Sequence, residues 1–171
     1  MRSTLCALGM AVLAGTALAG KPHEHGVARL DVAVEARGVS LLLEVPLDSL
    51  VGFEHEPRTD AERQQIDLAL ARLRSGPALF RIDPAAHCAA KSMNLQSAVL
   101  GLGGEKIKDG HAEIEASYEF SCQDGARAGF VEASLFEFFP RLQRVEVQTA
   151  TRRGQMKATL VRPVIRVPLA R

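Results

Sequence analysis

The chain contains no tryptophan and a single tyrosine among its 171 residues. That excludes a carbohydrate platform of stacked aromatic rings. Neither sign of charge is in excess: 21 Lys and Arg stand against 20 Asp and Glu, a formal net charge of +1. A nucleic-acid binder would carry a basic patch or stripe, and a protein held at an anionic membrane surface would carry a polybasic segment. The sequence has neither. No apolar run reaches the roughly 20 residues needed to cross a bilayer. Catalytic signatures are also missing: there is no G-x-S-x-G elbow, no P-loop, no H-E-x-x-H and no C-x-x-C. Binding, not catalysis, is therefore expected. An envelope hydrolase with an unmarked triad is a third and weaker alternative, to be recognised by a deep pocket holding a nucleophile and a base.

What is present starts with a leader. Arg2 supplies a positive start, "LCALGMAVLAGTA" an apolar stretch, and Ala17-Leu18-Ala19 an A-x-A cleavage site. Residues 1–19 read as a signal peptide and residues 20–171 as one domain. Removing Arg2 brings the net charge to about 1 − 1 = 0. Cys6 leaves with the leader, so three cysteines become two, Cys88 and Cys122. In an exported chain an even pair reads as one disulfide. A pair of thiolate metal ligands is the alternative.

Hydrophobic residues make up 47% of the chain, enough for a core. "GVARLDVAVEARGVSLLLEVPL" alternates apolar and polar residues on both sides of Gly38, as a hairpin does. "DSLVGFEHEP" is short and mixed: Leu50, Val51 and Phe53 should anchor it, leaving Glu54, His55 and Glu56 to face water or a site. "RTDAERQQIDLALARLRSGP" is the clearest helix, with a Thr59/Glu62 capping box and Ile66, Leu70 and Leu73 on one face. Gly76 should take the left-handed position after it. In "HAEIEASYEFSC", Ile114, Ala116, Tyr118, Phe120 and Cys122 share the core phase, while Glu113, Glu115 and Glu119 share the other. "ASLFEFFPRL" predicts one short helix, capped by Ser134 and Glu137. A final hairpin turns at Gly154, and the tail "RPVIRVPLAR" supplies an edge strand. The expected fold class is α+β: a mainly antiparallel sheet of about seven strands with one long and one short helix packed on it.

The candidate chemistry lies in five histidines, His23, His25, His55, His87 and His111. In an extended strand, His23 and His25 would point the same way with α-carbons about 7 Å apart, and Glu24 the other way. Imidazoles so placed can converge on one ion. Joined by His55, and by His111 or Glu115, they would form a borderline-ligand site suited to Zn²⁺, with other divalent transition metals close behind. His87 reads as a turn residue. An amino-terminal copper clip is unavailable even if cleavage follows Gly20, because Pro22 has no N–H to give up to the metal. The bland alternative is that these histidines are solvated polar residues and the acidic strand face a wet surface.

Four strings, "HEHGVARLDVAVE", "PLDSLVGFEHEPRTDAE", "HAEIEASYEFSC" and "LFEFFPRLQRVEVQ", together resemble the ZrgA-type periplasmic zinc-binding proteins, from His23 to about Leu160. The resemblance implies a periplasmic protein that binds zinc and works beside the membrane transporter components of a zinc uptake system. It places His23, His25, His55 and His111 at the family's matching positions, and Cys88 and Cys122 at its disulfide. One departure stands out. Many members carry a histidine- and acid-rich loop before the long strand. Here that place holds "GLGGEKIKDG", with no histidine until His111. Either one structured zinc site remains, or the chain is a metal-independent envelope interaction module stapled by its disulfide.

Overall fold

A computed structural model describes residues 24–103 and 112–169. The expected leader, His23 and His111 lie outside the described residues. The fold is α+β. Six strands form the main sheet: β1 (Val27–Val34), β2 (Gly38–Pro46), β4 (Cys88–Gln96), β5 (Glu113–Cys122), β7 (Arg144–Thr151) and β8 (Gly154–Val161). Their order is β4-β5-β2-β1-β7-β8. All neighbours are antiparallel except β1 and β7, which run parallel, Val27 opposite Arg144. Three short strands, β3 (Phe80–Ile82), β6 (Phe130–Ala133) and β9 (Arg166–Pro168), form a second sheet in the order β3-β6-β9. Nine strands stand among the described residues, and three of them are only three or four residues long; the last, β9, lies in the tail expected to supply an edge strand.

One face of the main sheet is apolar because its strands alternate strictly. Leu30, Val32, Leu41, Leu43, Val45, Ile114, Ala116, Tyr118, Val145 and Val147 are all buried. Helix α2 (Asp60–Arg74) covers that face with Ile66, Ala69, Leu70 and Leu73. The small sheet adds Phe80, Val131 and Val167 to the same core, and the short helix α4 (Leu135–Phe138) adds Leu135 and Phe136. Tyr118 Oη donates to the Leu73 carbonyl at 2.9 Å, deep in this layer. That carbonyl lies in the last turn of α2, where no intrahelical donor reaches it.

Local signals hold in some places and yield to tertiary packing in others. The capping box of α2 forms in full: Glu62 N–H donates to Thr59 Oγ1 at 3.2 Å and Thr59 N–H to Glu62 Oε2 at 3.0 Å. The left-handed position expected at Gly76 does not form. Ser75 caps the helix at φ −82°, and Gly76 opens α3 (Gly76–Leu79) instead. Glycine is required there for space, since a Cβ would stand 2.9 Å from the Tyr118 ring. The second expected capping box also fails. Ser134 makes no side-chain cap bond, because its backbone (φ −77°, ψ 26°) is not the extended one an N-cap needs. "DSLV", read only as the start of a short mixed stretch, lies in helix α1 (Leu47–Val51), ended by Gly52 in the left-handed conformation at φ 91°. The Pro46 before it and the Gly52 after it were the available signal.

Cys88 and Cys122 face each other across the β4–β5 pair and are bonded, closing a separation of 34 residues. This removes both thiolates from any metal site. At that end of the sheet the connections are tight. Cys122 N–H donates to the Arg37 carbonyl at 2.9 Å, and a Cβ at Gly125 would fall 2.2 Å from the Glu35 carbonyl.

Candidate metal centre

The opposite end of the sheet gathers different chemistry. There β1 begins, β2 ends in α1, and β5 begins, Leu47 N–H donating to the Ala112 carbonyl at 2.7 Å. The chain enters β1 through a turn. Val27 N–H bonds to the Glu24 carbonyl at 3.1 Å, and Gly26 takes φ 77°. The segment before β7 holds this turn from one side, with Gln143 N–H donating to the Gly26 carbonyl at 2.7 Å and Arg144 pairing with Glu24 at 2.6 Å. Helix α1 holds it from the other side, where buried Ser49 Oγ accepts from Gly26 N–H at 2.9 Å. The same hydroxyl donates to Asp48 Oδ1 at 3.1 Å.

This arrangement sets the His25 ring between two carboxylates. Its Nδ1 lies 3.1 Å from Asp48 Oδ2 and its Nε2 lies 3.2 Å from Glu54 Oε1. Among the described residues this is the one group of three His, Cys, Asp or Glu that could hold a metal ion, with ligand atoms all within 4.8 Å of one another. His25 is 67% exposed, Glu54 40% and Asp48 19%, so the corner opens to solvent. Two donors on a tetrahedral zinc at 2.0–2.1 Å stand roughly 3.3 Å apart. Either nitrogen–carboxylate pair is close to that spacing. The donor set is one imidazole and two carboxylates, borderline and hard, which fits Zn²⁺ and offsets its two positive charges. With no ion present, a neutral imidazole has only one N–H and can donate to only one of the two carboxylates.

The expected ligand set is brought together only in part. His25 is at the centre of the cluster and lies with Gly26 in a turn, while His23 lies outside the described residues. His55 points elsewhere. Its Nδ1 lies 2.7 Å from the Glu56 carbonyl, its ring stacks on Phe53 with centroids 4.9 Å apart, and its Nε2 is 4.0 Å from Glu62. Glu62 is occupied by the α2 cap: backbone hydrogen bonds from Arg58 and then Thr59 hold its carboxyl below the usual carboxylate range. His87 sits in a left-handed turn at φ 48°, beside the disulfide. Glu115 lies on the outer face of the main sheet, opposite Glu44 and Gln96, and is not part of the His25 cluster.

Asp48 and Glu54 are the residues that motif reasoning missed. Glu54 was legible only as a residue facing water or a site. Asp48 sits in the first turn of α1, a position that any short helix can give to an acid. Once α1 is recognised, a turn residue and a first-turn carboxylate meeting across the β1–β2 hairpin become predictable from the antiparallel pairing.

Among the described residues no helix is long and apolar enough to cross a membrane. A family model described as ZrgA family zinc uptake protein matches residues 22–169. No curated protein matches the chain.

Proposed function

The chain belongs to the ZrgA family of zinc uptake proteins, and from that premise we propose that it captures Zn²⁺ in the periplasm and supports delivery to the membrane components of an uptake system. The observation that carries this reading is the His25 ring held between Asp48 and Glu54, donors from separate stretches of chain converging on one solvent-open corner. Neutral imidazole and carboxylate suit zinc, and one ring nitrogen of His25 with its neighbouring carboxylate supplies two of the four donors of a tetrahedral ion. An exposed site is easily filled and easily emptied by ligand exchange, as a carrier requires. His23 and His111 directly precede Glu24 and Ala112 in the sequence. They are the residues we assign to complete the shell. Export is supported by the leader pattern and by the disulfide, which persists in oxidising compartments. The protein acts by holding and releasing an ion, with no covalent step.

Competition for zinc against a chromophoric chelator tests this reading. One equivalent bound at neutral pH and lost in His25→Ala supports it. Absence of competition by the unaltered protein overturns it. A second reading, a metal-independent interaction module, is favoured by Val161, Val164 and Ile165. These lie close in sequence and are 49%, 50% and 37% exposed. It predicts that replacing His23, His25, His55 and His111 together leaves partner capture and melting temperature unchanged.

A further inference from the structure

We propose that Asp48 is not a zinc ligand but the positioning partner of His25, fixed in turn by Ser49, so that Nε2 together with Glu54 takes the ion. The inference rests on the reading of this corner as a zinc site and assigns the roles within it. One ion takes one ring nitrogen of an imidazole, and the carboxylate at the other nitrogen then accepts its N–H. The two carboxylates occupy opposite ring nitrogens, Asp48 at Nδ1 and Glu54 at Nε2. Only one of them can be the coordinating neighbour.

Three observations break the symmetry. Asp48 is the less exposed carboxylate, 19% against 40% for Glu54, so an incoming ion meets Glu54 and Nε2 first. Asp48 is also already constrained. Gly26 N–H donates to Ser49 Oγ, which directs the Ser49 hydroxyl hydrogen to Asp48 Oδ1 and leaves Oδ2 facing Nδ1. Ser49 is 1% exposed, so this relay is shielded from competing water. Finally, Glu54 follows α1 on irregular chain, where a longer side chain can adjust its oxygens to an ion. The arrangement is that of a metal-binding histidine whose second nitrogen donates to a carboxylate, which fixes the tautomer and raises the basicity of the ligating nitrogen. Ser49 and Asp48 thereby connect the ligand's orientation to the turn at Gly26 and to α1.

The test is nitrogen-15 NMR of the imidazole nitrogens in the intact protein, titrated with Zn²⁺ alone and paired with zinc affinities of three variants. The expected result is a zinc-dependent shift at His25 Nε2 while Nδ1 keeps its proton. Asp48→Asn and Ser49→Ala should weaken binding about 10- to 100-fold at unchanged stoichiometry. Glu54→Gln should weaken it more than either. Zinc at Nδ1, or Asp48→Asn weakening binding more than Glu54→Gln, overturns the proposal and makes Asp48 a ligand while the zinc site stands. His25 resonances that ignore zinc overturn the zinc reading itself. The measurement on the unaltered protein decides the nitrogen even if Ser49→Ala fails to fold.

Discussion

The two ends of the main sheet are built on opposite plans. At one end Cys88 and Cys122 are covalently joined, Cys122 is buried, and Gly125 packs where no side chain fits. At the other end the chain enters through a turn, bends into a five-residue helix, and leaves a histidine 67% exposed between two carboxylates. The first end is closed and cross-linked, and the second gathers the candidate metal-binding groups. A polar, solvent-open corner gains little from burial, so its geometry must be borrowed from structure that is fixed elsewhere. The β1–β2 hairpin and strand β5 run from one end to the other and transmit that order.

The sharpest way to break this contrast is to unstaple the sheet. Cys88→Ser with Cys122→Ser opens a 34-residue loop, for which the loss is expected to be about 4 kcal/mol. Denaturant unfolding checks it. Zinc affinity of the fraction that remains folded should be unchanged, because no site residue lies at that end. The converse substitution is His25→Ala. Zinc affinity should fall by roughly 100-fold or more, beyond the loss usual for an outer partner alone. Stability without metal should move by no more than about 0.5 kcal/mol, as for other exposed positions. His55→Ala should leave zinc affinity nearly intact, since its ring is engaged with Glu56 and Phe53.

The same contrast explains what could be read in the sequence. Features set by short-range rules were legible: the Thr59/Glu62 box, the face of α2, the phase of β5 from Ile114 to Cys122, and the turn at Gly154. The disulfide was legible from the leader pattern, which leaves two of the three cysteines, Cys88 and Cys122, to pair. Features set by tertiary meeting were not. Gly76 reads as a helix terminator but is glycine because of Tyr118, 42 residues away. Asp48 and His25 meet only because β1 and β2 pair antiparallel and α1 folds back over the turn. His55, attractive as a sequence ligand, is turned away by its neighbours Phe53 and Glu56. The candidate cluster was therefore partly visible: His25 was legible as a candidate ligand, Glu54 only as a residue facing water or a site, and Asp48 not at all.

Between the two ends stands Tyr118, whose hydroxyl serves the orphan carbonyl of Leu73. Tyr118→Phe should cost about 1–2 kcal/mol by leaving that acceptor unpaired. Burial pushes the Tyr118 phenol well above its ordinary value of 10.0. A folded pKa raised above the unfolded one contributes stability that is complete below the unfolded value and is lost as pH rises through the folded value. The unaltered protein should therefore lose stability above pH 10.0, and the Phe variant should lose less. Unfolding midpoints across that range check the slope. Zinc binding at neutral pH should not respond, since Tyr118 lies on the inner face.

The smallest effect belongs to the outer face near the site end, where Glu44, Glu113 and Glu115 lie in adjacent rows of β2 and β5. Burial, and then the charge of Glu113, raise the Glu44 carboxyl above its ordinary 4.5, while Arg29 at 3.9 Å pulls the other way. With the folded pKa raised, the contribution of Glu44 to stability is complete below pH 4.5 and is lost as pH rises through the folded value. At neutral pH the ionised Glu44 is thus expected to weaken the fold slightly. With a side chain 40% exposed, much of this repulsion is screened by water; Glu44→Gln should therefore stabilise the protein by at most a few tenths of a kcal/mol near pH 7, within the ordinary range for surface changes, and the gain should vanish near pH 4. Denaturant midpoints at the two pH values check this. A loss at pH 7 instead would mean that the Arg29 pair outweighs the crowding of carboxylates. It would make this end of the sheet, like the stapled one, a place where side chains are matched for stability, not one where stability is given up around a site.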